Sequence, residues 1–326
     1  MPVVGFDHSG ERLPKDSLKS SSTPTKSYNP SFLKCYIRPS SNTDKMVEIE
    51  RITIEHHGGT ENLGIPVGEK APRISWRFSG EAKDWTQSAY EIEILRDSQV
   101  QLFRVNSSES VLVPWPTTPL KARESVAVRV RAQGGSDSTP WSGVYPLQAG
   151  LLNREDWTAK LIAANRTLTT HNSLRPTRFR KSFTMSRGRG WNARLYITSY
   201  GVYEAYINGK RVGDHVLSPG WTAYKYHLNY QTFDVKDLLN EGENTIAVEV
   251  AEGWYSGRLG FNGGKQCIYG DRLALLAQLE ITFPDAEELR IVSDETWKTF
   301  PSPIVSSELY DGEAYDASLE LEGWSS

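Results

Sequence analysis

Tyr206-Ile-Asn-Gly-Lys-Arg-Val-Gly-Asp214 decides the fold. It reads as a strand, a tight turn and a return strand. Asn208-Gly209 suits a hairpin turn whose central residues take positive φ, which these two residue types tolerate best. Apolar residues alternate upstream at Leu195 and Ile197 and resume at Val202. Downstream, Asn244-Thr-Ile-Ala-Val-Glu-Val250 alternates as a half-buried strand does. Between and after these strands lie two ring-bearing segments, Leu217-Ser-Pro-Gly-Trp-Thr-Ala-Tyr224 and Glu249-Val-Ala-Glu-Gly-Trp-Tyr-Ser-Gly257. The pattern predicts a β-sandwich with aromatic-tipped loops.

The alternation extends in both directions. Further strands are expected at Thr177–Phe183, Ala193–Thr198, Gln231–Asp234, Leu273–Ile281 and Glu288–Ser293, with one helical turn between Val235 and Gly242. Upstream, short strands at Ile49–His56, Arg73–Phe78, Ala89–Arg96, Val111–Val113, Val126–Ala132 and Val144–Gln148 are separated by Gly, Pro, Ser and Asp, as in another sandwich. Tyr90, Ile92 and Ile94 share one face of their strand, and Val126, Val128 and Val130 share one face of theirs. The Glu and Arg residues on the opposite faces are expected to meet solvent or one another across strands. Trp76 and Trp141 are expected in the core or at a corner. The chain is therefore expected to be all-β: a tail over 1–46, a sandwich over 47–151, a connection over 152–173 and a second sandwich over 174–326. Asp156-Trp157 in the connection is expected to anchor the first strand of the second sandwich. The tail is rich in Ser, Lys, Pro and Thr and too poor in apolar residues to offset the entropy of ordering, so disorder is expected there. Met46 opens the first strand pattern abruptly and is a candidate start of translation.

Composition narrows the function. The 326 residues carry a net charge of −3, which gives no general attraction to nucleic acid or an anionic membrane. No apolar run is long enough to span a bilayer, and the first residues lack the pattern of a secretory signal. A cytoplasmic location is the expectation, with secretion left open. Cys35 and Cys267 do not make a disulfide framework.

Candidate chemistry is sparse. Asp214, Glu249, Glu252, Asp271, Asp311, Glu313 and Asp316 supply carboxylates, but glycoside hydrolysis needs two of them held across a cleft. No residue is assigned a catalytic role. His56-His57 point to opposite faces of a strand and make a poor chelate. Asp311, Glu313 and Asp316 form a weak Ca²⁺ candidate. No metal and no cofactor is assigned. The sharpest candidate is aromatic: Trp221, Tyr224, Trp254 and Tyr255 offer ring faces to the C–H faces of sugars, and Arg258, Asn262 and Asp271 offer hydroxyl partners. The competing reading is that these rings pack in the core or against a neighbouring domain.

Four segments in order, "YINGKRVGDHVLSPGWTAY", "YQTFDVKDLLNEGENTIAVEVAEGWYSGRLG", "YGDRLALLAQLEI" and "LYDGEAYDASLELEGW", resemble the N-terminal β-domain of α-L-rhamnosidases. Residues from about 47 to 151 resemble the fibronectin type III-like domain that precedes it. The resemblance implies a jelly-roll-like second sandwich and a parent reaction, hydrolysis of terminal α-L-rhamnose by an inverting mechanism. The family's helical catalytic domain has no counterpart here, and its acid and base lie in that domain. The resemblance thus implies a truncated, non-catalytic portion that supports a catalytic domain and holds rhamnose-containing glycosides. The chain resembles one cut inside its last β-domain, which would leave an open sheet edge. A free-standing carbohydrate-binding protein and a structural adhesion module remain as alternatives.

Overall fold

The computed structural model describes residues 3–4, 46–55, 57–58, 67–80, 84–164, 174–185 and 190–326. Its contacts divide into two units, one within Ser27–Leu152 and one holding Asn153–Ser326 together with the start of the chain. Val3–Val4 pair antiparallel with Leu228–Asn229. The disorder expected over 1–46 otherwise falls outside the described residues, apart from Met46 itself.

The first unit is a sandwich of two antiparallel sheets. Glu48–Ile54 lies between His57–Gly58 and Ile74–Ser79 in one sheet. In the other, Ala89–Arg96 lies between Gln99–Val105 and Ser125–Gly134, and Asp137–Ser138 and Tyr145–Gln148 both pair with the latter. Ile52, Ile54, Ile74 and Trp76 from one sheet meet Tyr90, Ile92, Ile94, Val126, Val128 and Val130 from the other. Each fully buried aliphatic side chain here contributes about 1.5–3 kcal/mol. Trp76 is in this core, edge-on to Tyr90 at 5.0 Å, and donates its indole N–H to Gln87 Oε1 at 3.0 Å. Trp141 is not in the core. It lies half-buried, with the guanidinium groups of Arg129 and Arg131 each 4.7 Å from its ring. An indole on that polar face is better served by cations than by aliphatic neighbours.

The outer face of the five-stranded sheet is a ladder of charge. Glu91 stands directly opposite Arg131 on one neighbour and Arg104 on the other, and Glu93 stands opposite Arg129. Arg129 binds Glu93 with both forks of the guanidinium, at 2.7 and 2.8 Å. The Glu/Arg alternation therefore closes across strands.

The second unit is a larger sandwich of two five-stranded sheets. One runs Lys210–Arg211, Val202–Ile207, Gly242–Ala251, Thr177–Met185, Lys298–Pro301. The other runs Ile162–Ala163, Ala274–Thr282, Asn192–Tyr200, Gln231–Asp234, with Glu288–Val292 also paired to Ala274–Thr282. The chain changes sheets at almost every connection, as in a jelly-roll path. Phe179, Ile246, Val248 and Val250 of one sheet face Leu195, Ile197, Leu275, Leu279 and Ile281 of the other, all nearly or fully buried. The hairpin at Asn208-Gly209 forms with both residues at positive φ, 52° and 78°.

Residues 153–163, expected as part of a connection, are woven into this unit. Ile162–Ala163 is an edge strand. Gln278 Oε1 accepts the backbone N–H groups of Thr158 at 2.7 Å and Ala159 at 3.2 Å, and its amide donates to the Asp156 carbonyl at 3.0 Å. Trp157 sits edge-on to Tyr230 at 5.2 Å and Tyr196 at 6.4 Å. Asp156-Trp157 therefore anchors not the strand expected first in this unit, Thr177–Met185, but Ala274–Thr282 through Gln278 and Asn192–Tyr200 through Tyr196. At the other end, Ile304–Glu308 and Gly312–Tyr315 form a hairpin. Trp324 then lies over Arg178, whose guanidinium is 4.2 Å from the ring, and edge-on to Tyr206 at 5.5 Å. The last residues thus lie against a sheet face, bonded through the Ser325 carbonyl to Gly209 N at 2.7 Å.

Candidate functional site

Three segments distant in sequence meet at one end of the second sandwich. The first is fixed by its backbone. Tyr203 N donates to the Ser218 carbonyl at 2.8 Å. Buried Gln231 accepts from the Tyr203 hydroxyl at 2.7 Å and donates to the Pro219 carbonyl at 3.3 Å. Gly220, at φ +92°, then turns the chain so that Trp221 stands half-exposed while Tyr224 turns inward. The second segment is the single helical turn Gly253–Ser256. Gly253 has φ +50°, and a Cβ there would lie 2.5 Å from Val202 Cγ1. Only glycine fits, and the turn it starts leaves Trp254 half-buried and buries Tyr255. The third is the strand end at Tyr200, and Tyr269 joins from the same connection as the second, between Ala251 and Ala274.

The rings form one continuous cluster. Trp221 and Trp254 stack at 6.1 Å with planes 12° apart. The Trp221 indole N–H reaches the Tyr269 hydroxyl at 3.3 Å. Tyr224 contacts Tyr269 at 5.0 Å and Tyr255 edge-on at 5.2 Å, and Tyr255 stacks on Tyr200 at 4.5 Å and 3°. Gly270 makes room for this, since a Cβ there would lie 2.1 Å from the Tyr255 hydroxyl oxygen. Burial pushes the Tyr224 phenol up strongly and that of Tyr255 up to about 12. Both stay protonated at neutral pH, and Tyr224 donates its hydroxyl to the Gly220 carbonyl at 3.3 Å.

All four predicted rings, Trp221, Tyr224, Trp254 and Tyr255, are thus in contact. The predicted polar partners are placed differently. Arg258 is already engaged: its backbone N–H donates to Glu308 Oε1, its guanidinium binds Asp311 Oδ1 at 2.6 Å, and it lies 4.9 Å from the Tyr310 ring. Asn262 occupies a left-handed turn position, φ +52°, beside Phe261, which is 85% exposed. Asp271 is exposed and acts on Tyr255 through its charge. Two carboxylates of the acidic trio are likewise taken, Asp311 by Arg258 and Asp316 by Ser318 at 2.7 and 3.0 Å. Among the described residues no group of three or more His, Cys, Asp or Glu converges as a metal site would require.

Sequence reasoning missed Tyr200, Tyr269 and the buried role of Glu252. Glu252 is 1% exposed. One carboxyl oxygen accepts from Leu174 N at 2.5 Å, and among the described residues neither Oε2 nor the buried Ser256 hydroxyl has a hydrogen-bond partner. Burial raises its pKa to about 7, the Leu174 N–H pulls the other way and nearby Glu308 adds to the rise. Glu308 is also largely covered, its side chain 7% exposed. A glycosidase pair must flank a bound sugar, and two carboxyls this enclosed leave no room for one. Glu308, by accepting from Arg258 N, ties the segment after the Trp254 turn to the C-terminal hairpin, while Glu252 ties the turn itself to Leu174.

Residues 189–326 match the family description "Alpha-L-rhamnosidase N-terminal domain" and residues 49–153 match "Rha78A-like, N-terminal immunoglobulin domain". The chain carries the N-terminal domains of the α-L-rhamnosidase family. Its first unit is matched as an immunoglobulin domain, a sandwich architecture that fibronectin type III domains share. An α-L-rhamnosidase of Formosa agariphila is 38% identical over 303 residues, 87% of this chain and 32% of that protein. The crystal structure of the native α-L-rhamnosidase of Aspergillus terreus superposes with a TM-score of 0.78 at 49% identity, covering 86% of this chain and 32% of that one. That of the Dictyoglumus thermophilum enzyme gives 0.70 at 31% identity, over 80% of this chain and 31% of that one. The chain spans about a third of the length of these rhamnosidases.

Proposed function

We propose that this chain is the non-catalytic N-terminal portion of an α-L-rhamnosidase and that its aromatic loop end supports the domain that breaks the glycosidic bond. The observation that carries this reading is the Trp221–Trp254 pair, stacked at 6.1 Å beside a cluster of buried and half-buried tyrosines with Trp221 54% exposed. Rings fixed from behind and bare in front lose little entropy on docking. Phe261 at 85% and Tyr226 at 77% exposure, on loops of the same unit, add exposed apolar area.

Rhamnoside contact is a second use of the same rings. Trp221 and Trp254 touch each other as offset-stacked rings do, so they offer outer faces rather than a slot. Arg258, bonded to Asp311, has little left to offer hydroxyls.

The test uses the catalytic portion of the Aspergillus terreus relative produced alone. Adding this chain in trans raises its melting temperature and its turnover of an aryl α-L-rhamnoside, and Trp254→Ala weakens both effects. This chain alone gives no turnover. Hydrolysis by the chain alone that is abolished by Glu252→Gln or Asp311→Asn defeats the proposal. Titration with rhamnose and with an aryl rhamnoside, with and without Ca²⁺, tests the second use separately.

A further inference from the structure

The geometry points to a second, independent site: a cavity on the charged face of the first unit that takes a small hydroxylated carboxylate, the chemistry of a sugar acid. The cavity measures about 210 Å³, room for about seven waters. Ala89 lines it with a methyl directly opposite the longer Gln133 on the neighbouring strand.

Its walls are charged and incompletely bonded. Glu91 gives one oxygen to Arg104 Nε and the other to Arg131 Nε. Those two bonds, Arg131's first, hold the Glu91 carboxyl below its ordinary value and keep it ionised. Two guanidinium groups therefore face one carboxylate, and the lining keeps one net positive charge. Among the described residues the terminal amino groups of both arginines make no further hydrogen bond. Arg131 is also held in place against Trp141 at 4.7 Å. An arginine whose Nε is occupied still presents its terminal nitrogens to a carboxylate.

The rest of the rim selects for hydroxyls. Asn106, Gln133 and Ser138 line the cavity, and their side chains carry no hydrogen bond among the described residues. Amides and a hydroxyl both donate and accept, as sugar hydroxyls do. A bare inorganic anion would use the arginines and leave this rim idle. A neutral sugar would use the rim and leave the charge uncompensated.

The experiment is calorimetric or NMR titration of the full chain with sodium D-galacturonate, D-galactose and sodium acetate. Galacturonate binds at low millimolar concentration and more weakly in high salt. Galactose and acetate each bind about tenfold more weakly or worse. Arg104→Gln cuts galacturonate affinity about tenfold while leaving the melting temperature unchanged, because this side chain is 71% exposed. Gln133→Ala weakens galacturonate but not acetate. Galactose binding as well as galacturonate, acetate binding as well as galacturonate, full affinity in Arg104→Gln, or no binding of galacturonate at all would each overturn the proposal. None of these outcomes bears on the aromatic end of the second unit.

Discussion

The charged face of the first unit and the aromatic end of the second are both places where a sandwich spends side chains on something other than its core. They are assembled differently. On the charged face every partner stands directly across one strand pair, Glu91 from Arg104 and Arg131, Glu93 from Arg129. At the aromatic end, Tyr200 closes a strand, Trp221 lies in one connection, and Trp254 and Tyr269 lie in another, and these three places meet because the chain changes sheets between them. The first arrangement depends on strand register. The second depends on a few glycines and one buried acid that bring loops close. Damage should therefore spread at the aromatic end and stay local on the charged face.

The strongest way to break this contrast is Gly201→Ala. Gly201 joins two strands at φ +121°, and a Cβ would lie 2.1 Å from the Ala251 carbonyl oxygen. Strain and overpacking together cost about 3 kcal/mol. Urea unfolding should show the loss in the second unit alone, with the Tyr200–Tyr255 stack disrupted in near-ultraviolet circular dichroism. A comparable loss in the first unit would contradict independent assembly.

Next comes pH. The Glu252 carboxyl titrates near 7 in the folded chain, against 4.5 for an ordinary glutamate. A raised acid is protonated in the folded state while the unfolded chain has already released its proton. Its contribution is complete below about 4.5 and is lost as pH rises through 7, at about 1.4 kcal/mol per pH unit at most. Glu252→Gln mimics the protonated form and removes this slope. The variant should gain roughly 2 kcal/mol relative to the parent between pH 5 and pH 8, read from paired denaturation curves. Parallel pH profiles for the two proteins would rule out Glu252 as the titrating group.

A double-mutant cycle on Glu93 and Arg129 sharpens the other side of the comparison. The pair is bidentate but only partly buried, with side chains 15% and 21% exposed. Its coupling should be about 1 kcal/mol or less, reduced further by salt. Coupling of several kcal/mol would make the ladder as cooperative as the ring cluster. The smallest effect belongs to Trp221→Ala. Because the ring is half-exposed, stability should change by no more than about 0.5 kcal/mol, even though docking is impaired. A large loss of stability would assign Trp221 to the core.

These differences also explain what could be read from the residues. Alternation placed Ala89–Arg96, Val202–Ile207 and Gln231–Asp234 at their observed limits, because each strand buries one face and exposes the other. The cross-strand Glu/Arg closure followed from the same periodicity. Gln99–Val105 was not anticipated: its apolar residues Val100, Leu102 and Val105 are exposed on an edge strand, so burial had left little pattern. The Asp97-Ser98 turn before it, at φ 48° and 65°, was the available signal. The four rings were legible as aromatic residues beside glycines. Their base of Tyr200 and Tyr269 was not, since no local pattern says which loops a jelly-roll path brings together. Arg258 had the right chemistry for hydroxyls, but its pairing with Asp311, 53 residues on, lies beyond any local reading.

The clasp between Gln278 and residues 156–159 carries a practical lesson for anyone dissecting this protein. A recombinant fragment opening at Leu174 would keep nearly every strand of the larger sandwich yet strip the cover from Tyr196 and Tyr230 and leave the Gln278 side chain with Glu280 in place of its three backbone partners. Such a piece should be sticky and poorly behaved, whereas one opening at Asn153 should express cleanly, and the two yields side by side would show how far upstream the domain truly starts.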